Sequence, residues 1–250
     1  LGASGPTGLV STGDSTVFMK IYLIPCPIAE NTSSEVLPPQ ILAALQQTTH
    51  FLVENVRTAR RFISELKLGI QIDSLIFEVL DKDTDSKTVA DFYKKYVEVD
   101  YIGVISEAGC PGVADPGALA VSIAQQQNIE VIPLVGPSSI LLGLMGSGFS
   151  GQSFAFIGYL PIDKAARIRK IEQLVRDVAK LGQTQIFIET PYRNNALLED
   201  LIAQCAPDSL ICIACEVTAP SGFVQTKKAS EWAKAQPDLH KKPCIFLLGK

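Results

Sequence analysis

Residues 106–117 read Ser106-Glu107-Ala108-Gly109-Cys110-Pro111-Gly112-Val113-Ala114-Asp115-Pro116-Gly117, with three glycines and two prolines in twelve positions. Glycine admits positive φ and proline fixes turns, so such a segment lets bare backbone approach a ligand closely. Asp115-Pro116-Gly117 sets a carboxylate at the start of a helical pattern, with Pro at an N1-like position. Taken alone, Asp115 reads as an ordinary helix cap; the length and composition of the whole loop point to a ligand site. Two further loops share this character: Pro25-Cys26-Pro27-Ile28-Ala29-Glu30-Asn31-Thr32 and Val135-Gly136-Pro137-Ser138-Ser139. Ser138 and Ser139 also resemble helix caps.

Other chemistries find less support. Gly146-Ser147-Gly148-Phe149-Ser150-Gly151 matches the dinucleotide pattern G-x-G-x-x-G, but it follows a helical pattern and precedes a strand. Phosphate binding at a helix N-terminus needs the reverse order, so this segment reads as a helix stop. No P-loop occurs. Cys212-x-x-Cys215 imitates a metal pair, yet positions three apart in a strand point to opposite faces, and no second pair follows at zinc spacing. No metal is expected. The six cysteines are irregularly spaced and mostly lie in apolar runs, as buried thiols of a reducing, cytoplasmic compartment do.

These loops must be positioned by elements of a repeating kind. Short β-rich apolar runs occur at residues 20–24, 51–53, 101–105, 130–133, 154–159, 185–189, 210–217 and 243–248. Helical patterns lie between them at 39–47, 58–66, 88–98, 118–127, 138–145, 165–181, 194–205 and 229–235. This alternation predicts an α/β fold with parallel-rich sheets. The three candidate loops then follow the first, third and fourth strands, where ligands sit in open α/β sheets. The Pro-Leu-Val-Gly-Pro run at 133–137 suggests a boundary between an N-terminal α/β domain, 19–134, and a C-terminal one, 135–250. Residues 1–18 are rich in Gly, Ser and Thr and read as a flexible leader or remnant before Met19.

Composition sets limits on partners. Apolar residues make up 47% and charged residues 19% of 250 positions, enough to fill two cores. The net charge of −4 argues against coating nucleic acid by charge alone. Residues 1–150 hold 9 Lys/Arg against 16 Asp/Glu, so the basic groups concentrate in the second half. Arg57, Arg60 and Arg61 on one helical pattern, and Arg167, Arg169 and Lys170 on another, are placed to meet phosphates or simply to be solvated. No stretch interleaves aromatic and basic residues as a single-strand RNA platform does. No apolar span is long enough for a membrane helix, since 129–149 is broken by Pro and Gly.

An ordered series of segments resembles the tetrapyrrole methylase superfamily: 21–28 (IYLIPCPI), 54–57 (ENVR), 106–117 (SEAGCPGVADPG), 132–138 (IPLVGPS), 156–161 (FIGYLP) and 189–193 (ETPYR). Within it, the series is similar to the branch that methylates a cytidine ribose 2′-hydroxyl of small-subunit ribosomal RNA. The resemblance implies two α/β domains with S-adenosylmethionine in the cleft between them, and a homodimer. It implies cofactor contacts on Pro25, Ser106, Glu107, Ala108, Gly109, Val113, Ala114, Asp115, Ser138, Ser139, Thr190 and Val217. Substrate-side positions fall at Glu54, Arg57, Glu189 and Arg193. The chain departs from the branch here: Asn55-Val56 replaces Asp-Thr, Tyr192 replaces His, and Ala219-Pro220-Ser221 replaces Lys and acidic residues.

The expected function is thus S-adenosylmethionine-dependent methyl transfer, with ribosomal RNA or the small ribosomal subunit as partner. A small-molecule (tetrapyrrole-type) methyltransferase and a non-catalytic S-adenosylmethionine-binding protein are the alternatives. Methyl transfer is an in-line displacement in which alignment alone lowers the barrier by about 7–11 kcal/mol, so no obvious catalytic pair is required. Of the two histidines, His50 and His240, both read as structural or solvated. Glu54 and Glu189 are candidate bases, or else ion-pair partners of Arg57 and Arg193.

Overall fold

The computed structural model describes residues 19–250; the expected leader at 1–18 lies outside the described residues. Five strands build the first sheet: β1 (Lys20–Ile24), β2 (His50–Val53), β3 (Ile76–Val79), β4 (Tyr101–Ile105) and β5 (Glu130–Pro133). Their order is β3-β2-β4-β1-β5, and every neighbouring pair is parallel. Parallel neighbours need crossovers, which helices supply. These are α1 (Ser33–Val36), α2 (Pro39–Gln47), α3 (Val56–Glu65), α4 (Ser86–Lys95) and α5 (Gly117–Gln126).

Alternation along the strands divides the apolar side chains between two layers. Ile24, Phe51, Val53 and Ile105 pack with residues of α2 and α3. Ile21, Leu52, Ile102 and Val104 pack with those of α4 and α5. Burial on both faces explains the continuous apolar runs that made β1, β2 and β4 legible. Asn55 and Asp85 cap α3 and α4 through bonds from the Thr58 and Thr88 amides.

The second sheet departs from the expectation. It contains β6 (Phe154–Tyr159), β7 (Thr184–Ile188), β8 (Leu210–Cys215), β9 (Phe223–Lys228) and β10 (Cys244–Gly249), in the order β6-β7-β10-β8-β9. Only β6 and β7 run parallel; the other three pairs are antiparallel. The parallel-rich expectation therefore holds for the first sheet and fails for the second. Among the described residues ten strands replace the eight expected, and the two unforeseen ones, β3 and β9, are both sheet edges. Edge position alone does not hide them, since β5 and β6 are edges too; β9 reads Phe-Val-Gln-Thr-Lys-Lys and lacks an apolar run, whereas β3, Ile-Phe-Glu-Val, is apolar but only four residues long.

Helices α7 (Lys164–Leu181), α8 (Asn194–Gln204) and α9 (Ala229–Lys234) cover one face of the second sheet. There Trp232 is buried and its Nε1 donates to the Ile211 carbonyl at 2.9 Å. Helix α6 (Ser139–Ser147) covers the other face. Its glycines permit this contact: a Cβ on Gly146 would stand 2.7 Å from the Val224 side chain. The G-x-G-x-x-G segment thus ends α6, with Gly148 in the left-handed cap at φ 76°.

Two chemical readings are settled by packing. Cys212 lies in the α6-side core and Cys215 in the opposite one, so they do not converge on an ion. Arg167, read from sequence as either a phosphate contact or a solvated charge, is instead held inside. Its Nε donates to Asp200 Oδ2 at 2.7 Å and its Nη1 to the Ile162 carbonyl at 2.7 Å. Among the described residues no helix is long and apolar enough to cross a membrane.

Candidate functional site

The loops after β1 and β4 meet because these strands are neighbours. A two-bond bridge clips them together: the Cys26 amide donates to the Gly109 carbonyl at 3.0 Å, and the Gly109 amide returns the bond at 3.1 Å. The loop after β5 closes against both. The Cys110 thiol donates to the Pro137 carbonyl at 3.3 Å, and Gly136 rests on Pro25, where a Cβ would stand 2.1 Å from the proline's own. Only glycine fits at Gly136.

Within the 106–117 loop, Gly109, Gly112 and Ala114 have φ of 69°, 84° and 59°. Ala114 occupies the left-handed region without being glycine, a strain that must be held by its surroundings. Asp115 supplies that hold. Its Oδ1 accepts from the Gly112 and Gly117 amides, both at 2.7 Å. Gly117 is the first residue of α5 and Pro116 its cap residue, so Asp115 ties the loop to the helix start rather than capping the helix in the expected N-cap manner. Its other oxygen, Oδ2, is buried without a partner among the described residues. Ser138 does cap α6, through the Leu141 amide.

These walls enclose two adjoining cavities. One, about 250 Å³, is lined by Glu54, residues 106–110, residues 113–115, Ser138 and Ser139, with Phe156, Ile188 and Ile245 opposite. The other, about 810 Å³, lies within the range of small-molecule sites and shares Ala108, Ser139, Ile188 and Ile245 with the first. It adds Glu189 and Val217 at the ends of β7 and β8. One cleft therefore runs between the carboxyl ends of the first sheet and one end of the second, where β7 and β8 finish and β10 begins.

The structure brings most of the expected site residues to this cleft. Ser106, Glu107, Ala108, Gly109, Val113, Ala114, Asp115, Ser138, Ser139 and Glu54 line the smaller cavity, while Glu189 and Val217 line the larger. Pro25 is buried beneath Gly136 and lines neither. Thr190 and Arg193 stand behind Glu189 rather than in the cavity, and Arg57 is exposed on the first turn of α3. The apolar wall from β6, β7 and β10 was not foreseen. Its residues are ordinary strand isoleucines and a phenylalanine, which carry no sequence signal of a site.

The two candidate bases separate. Glu189 is buried, and its Oε1 accepts from Arg193 Nη2 at 3.1 Å, Arg193 Nε at 3.2 Å and the Thr190 amide at 2.6 Å. It is an ion-pair partner. Glu54 makes no such pair with Arg57; its Oε2 accepts from the Glu107 amide at 3.1 Å. Burial pushes its carboxyl above the ordinary value, with the nearby charges of Glu107, Asp115 and Asp81 adding, while the Glu107 amide opposes.

This donor set suits one kind of guest. Glu54, Glu107 and Asp115 form an acidic wall, and the unpartnered Asp115 Oδ2 is an acceptor. A nucleoside bearing a sulfonium and an ammonium supplies both positive charge and hydroxyl donors, and the isoleucine-lined side takes its apolar ring. Among the described residues no group of three or more His, Cys, Asp or Glu side chains could hold a metal ion.

Known proteins with the same organisation can now be compared. No protein-family profile matches the chain. It is 27% identical to ribosomal RNA small subunit methyltransferase I of Vibrio cholerae over 231 residues, 91% of this chain and 76% of that protein. It is 28% identical to the Halalkalibacterium halodurans protein of the same name over 182 residues, 73% of this chain and 59% of that one. Among solved structures, it superposes on the methyltransferase CobJ with a TM-score of 0.60 at 18% identity, covering 93% of both chains. Uroporphyrin-III C-methyl transferase from Thermus thermophilus, complexed with S-adenyl homocysteine, gives 0.55 at 14%, covering 92% of this chain and 97% of that one. The chain shares its fold with the methyltransferase CobJ and with uroporphyrin-III C-methyl transferase, and along most of its length it is similar to ribosomal RNA small subunit methyltransferase I.

Proposed function

We propose that this chain is an S-adenosylmethionine-dependent methyltransferase acting on a ribose 2′-hydroxyl of small-subunit ribosomal RNA. The observation that carries the cofactor is the backbone-lined, acidic cavity between residues 106–115 and Ser138–Ser139. The substrate rests on the relatives named ribosomal RNA small subunit methyltransferase I. In this reading Glu107, Asp115 and the glycine backbone hold the cofactor, Ser138 and Ser139 bound it, and Phe156, Ile188 and Ile245 receive the adenine. When bound, the cofactor supplies an electrophilic methyl carbon on a positively charged sulfur.

The protein's own contribution is alignment and exclusion of water. Glu54 stands at the mouth of the smaller cavity with a raised carboxyl, placed to accept a hydroxyl proton or to hold the Glu107 amide. Glu189 and Arg193 fix the rim where substrate enters.

A cytoplasmic homodimer accompanies this reading. The free cysteines are compatible with a reducing compartment. Leu141 and Met145 on the outer side of α6 are 50% and 78% exposed, an apolar strip suited to a second copy. Light scattering at micromolar concentration separates dimer from monomer.

Labelled S-adenosylmethionine incubated with small subunits lacking ribose methylation tests the activity. Label recovered in ribose-methylated RNA is expected. Absence of label from RNA, with the cofactor bound as judged by calorimetry, would reject the RNA substrate.

A further inference from the structure

An exposed aromatic and basic cluster stands at the outer rim of the larger cavity, built from segments far apart in sequence. Tyr159 ends β6, and Tyr192 follows β7. His240 and Lys241 precede β10. Tyr159, Pro191 and Lys241 all line the cavity itself. Tyr159 and Tyr192 are 64% and 69% exposed, unusual for rings so large. The His240 ring meets Tyr192 edge-on at 5.8 Å, and Lys241 Nζ lies 5.8 Å from the Tyr192 centroid.

The cluster is held by a fixed frame. The Lys241 amide donates to the Pro191 carbonyl at 3.1 Å. Buried Asn194 donates from Nδ2 to the Lys242 carbonyl at 2.6 Å. Asn195 donates from Nδ2 to Asp238 Oδ1 at 2.9 Å and accepts from the Leu239 amide at 2.8 Å. Lys241 itself takes φ 60°, the left-handed region. Four hydrogen bonds and one residue in the left-handed region thus present an exposed tyrosine and a lysine side by side, beside the cleft.

We propose that this rim is a nucleotide-reading platform, on which one unstacked base of the substrate RNA stacks on Tyr192 while an adjacent phosphate pairs with Lys241. The inference rests on the RNA reading given above and names the residues that would engage it. Splayed bases are recognised by stacking on aromatic rings, and phosphates by nearby cations. Charge on the same cavity favours a nucleoside over a polycarboxylated macrocycle. Glu30 and Glu216 face it along with the paired Glu189, and Lys241 is the one lysine or arginine among its lining residues. Several substrate carboxylates would be repelled there; a neutral base and ribose are not, and the one adjacent phosphate is met by Lys241.

The test uses the intact protein with Tyr192→Ala, Tyr192→Phe and Lys241→Ala. Methyl transfer to undermethylated small subunits and binding of a short cytidine-containing single-stranded RNA are the readouts, with S-adenosylhomocysteine calorimetry as the check on fold. Tyr192→Ala is expected to raise KM and weaken RNA binding by about five- to fiftyfold, with kcat changed little. Tyr192→Phe keeps the ring and should restore wild-type KM. Lys241→Ala should weaken RNA binding and reduce the salt slope by about 0.7, one phosphate's share on a single strand. S-adenosylhomocysteine affinity should be the same in all three. Wild-type transfer with an unchanged KM in Tyr192→Ala would overturn the platform while leaving the proposed activity standing. No transfer by the wild type, with S-adenosylhomocysteine bound, would overturn the RNA reading and the platform with it.

Discussion

The wall formed by residues 106–117 and 135–139 presents backbone to the cleft, whereas the wall formed by the ends of β6, β7, β8 and β10 presents side chains. The first is shaped by Gly109 and Gly112 at positive φ, by Gly136 against Pro25, and by amide bonds to Asp115. The second is shaped by an ion pair, two exposed tyrosines and an exposed lysine. Backbone recognition tolerates side-chain exchange but not an added Cβ; side-chain recognition is the reverse. A cofactor suits the first material, and a particular acceptor suits the second.

That contrast can be broken at graded positions. The largest effect is expected for Gly136→Ala, whose Cβ would stand 2.1 Å from that of Pro25. Overpacking of this kind costs about 1–3 kcal/mol of stability, and because the two loops must part, cofactor affinity should fall by roughly tenfold or more. Thermal melts and calorimetry measure both.

Asp115→Ala comes next. It removes the acceptor of two amides at 2.7 Å, and stability should drop on the order of 2 kcal/mol. Asp115→Asn keeps an oxygen there and should recover most of the fold but not the cofactor affinity. An alanine variant with unaltered affinity would mean that the loop holds its shape without the carboxylate.

Glu54→Gln sharpens the electrostatic half of the comparison. Burial and neighbouring charges raise the Glu54 carboxyl in the native state, so between its unfolded and native values the folded protein holds the extra proton. Stability from this group is therefore present at low pH and declines as pH climbs through that window. Glu54→Gln should flatten the decline in melting temperature while weakening the cationic cofactor by about two- to fivefold, the reach of one partly screened charge. The same linkage predicts proton release on cofactor binding in the wild type within that window, readable from calorimetry in buffers of different ionisation heat. A decline in melting temperature that persists unchanged in the variant would remove Glu54 from the account.

The smallest effect is expected across the cleft. Tyr192→Ala should alter S-adenosylhomocysteine affinity by less than about twofold, since distant independent sites add.

Legibility in the sequence follows the same division. The 106–117 loop was visible because its work needs glycine and proline at close spacing, and composition records that directly. The first sheet was visible because burial on both faces writes an apolar run into each inner strand. Strand β9 was not, since its Gln-Thr-Lys-Lys end breaks the apolar run, and β3 was not, since four residues of Ile-Phe-Glu-Val are too few to set a strand apart from a buried turn of helix. The antiparallel second sheet was hidden for a related reason: β10 enters between β7 and β8 from the end of the chain, and pairing partners leave no local trace. The rim was the least legible. Tyr192 stood out only as a replacement for His, and nothing local joins it to Tyr159, His240 and Lys241; only the fold gathers them. Arg167 erred the other way, reading as a surface cation while its pairing with Asp200 places it inside.

Titration of the wild-type protein and of Gly136→Ala with S-adenosylhomocysteine tests the central claim most directly. The account predicts one site per chain for the wild type, abolished or weakened roughly tenfold or more by the single added methyl. A folded wild type that takes up no nucleoside at millimolar concentration, or a Gly136→Ala protein that binds as well as its parent, would contradict it.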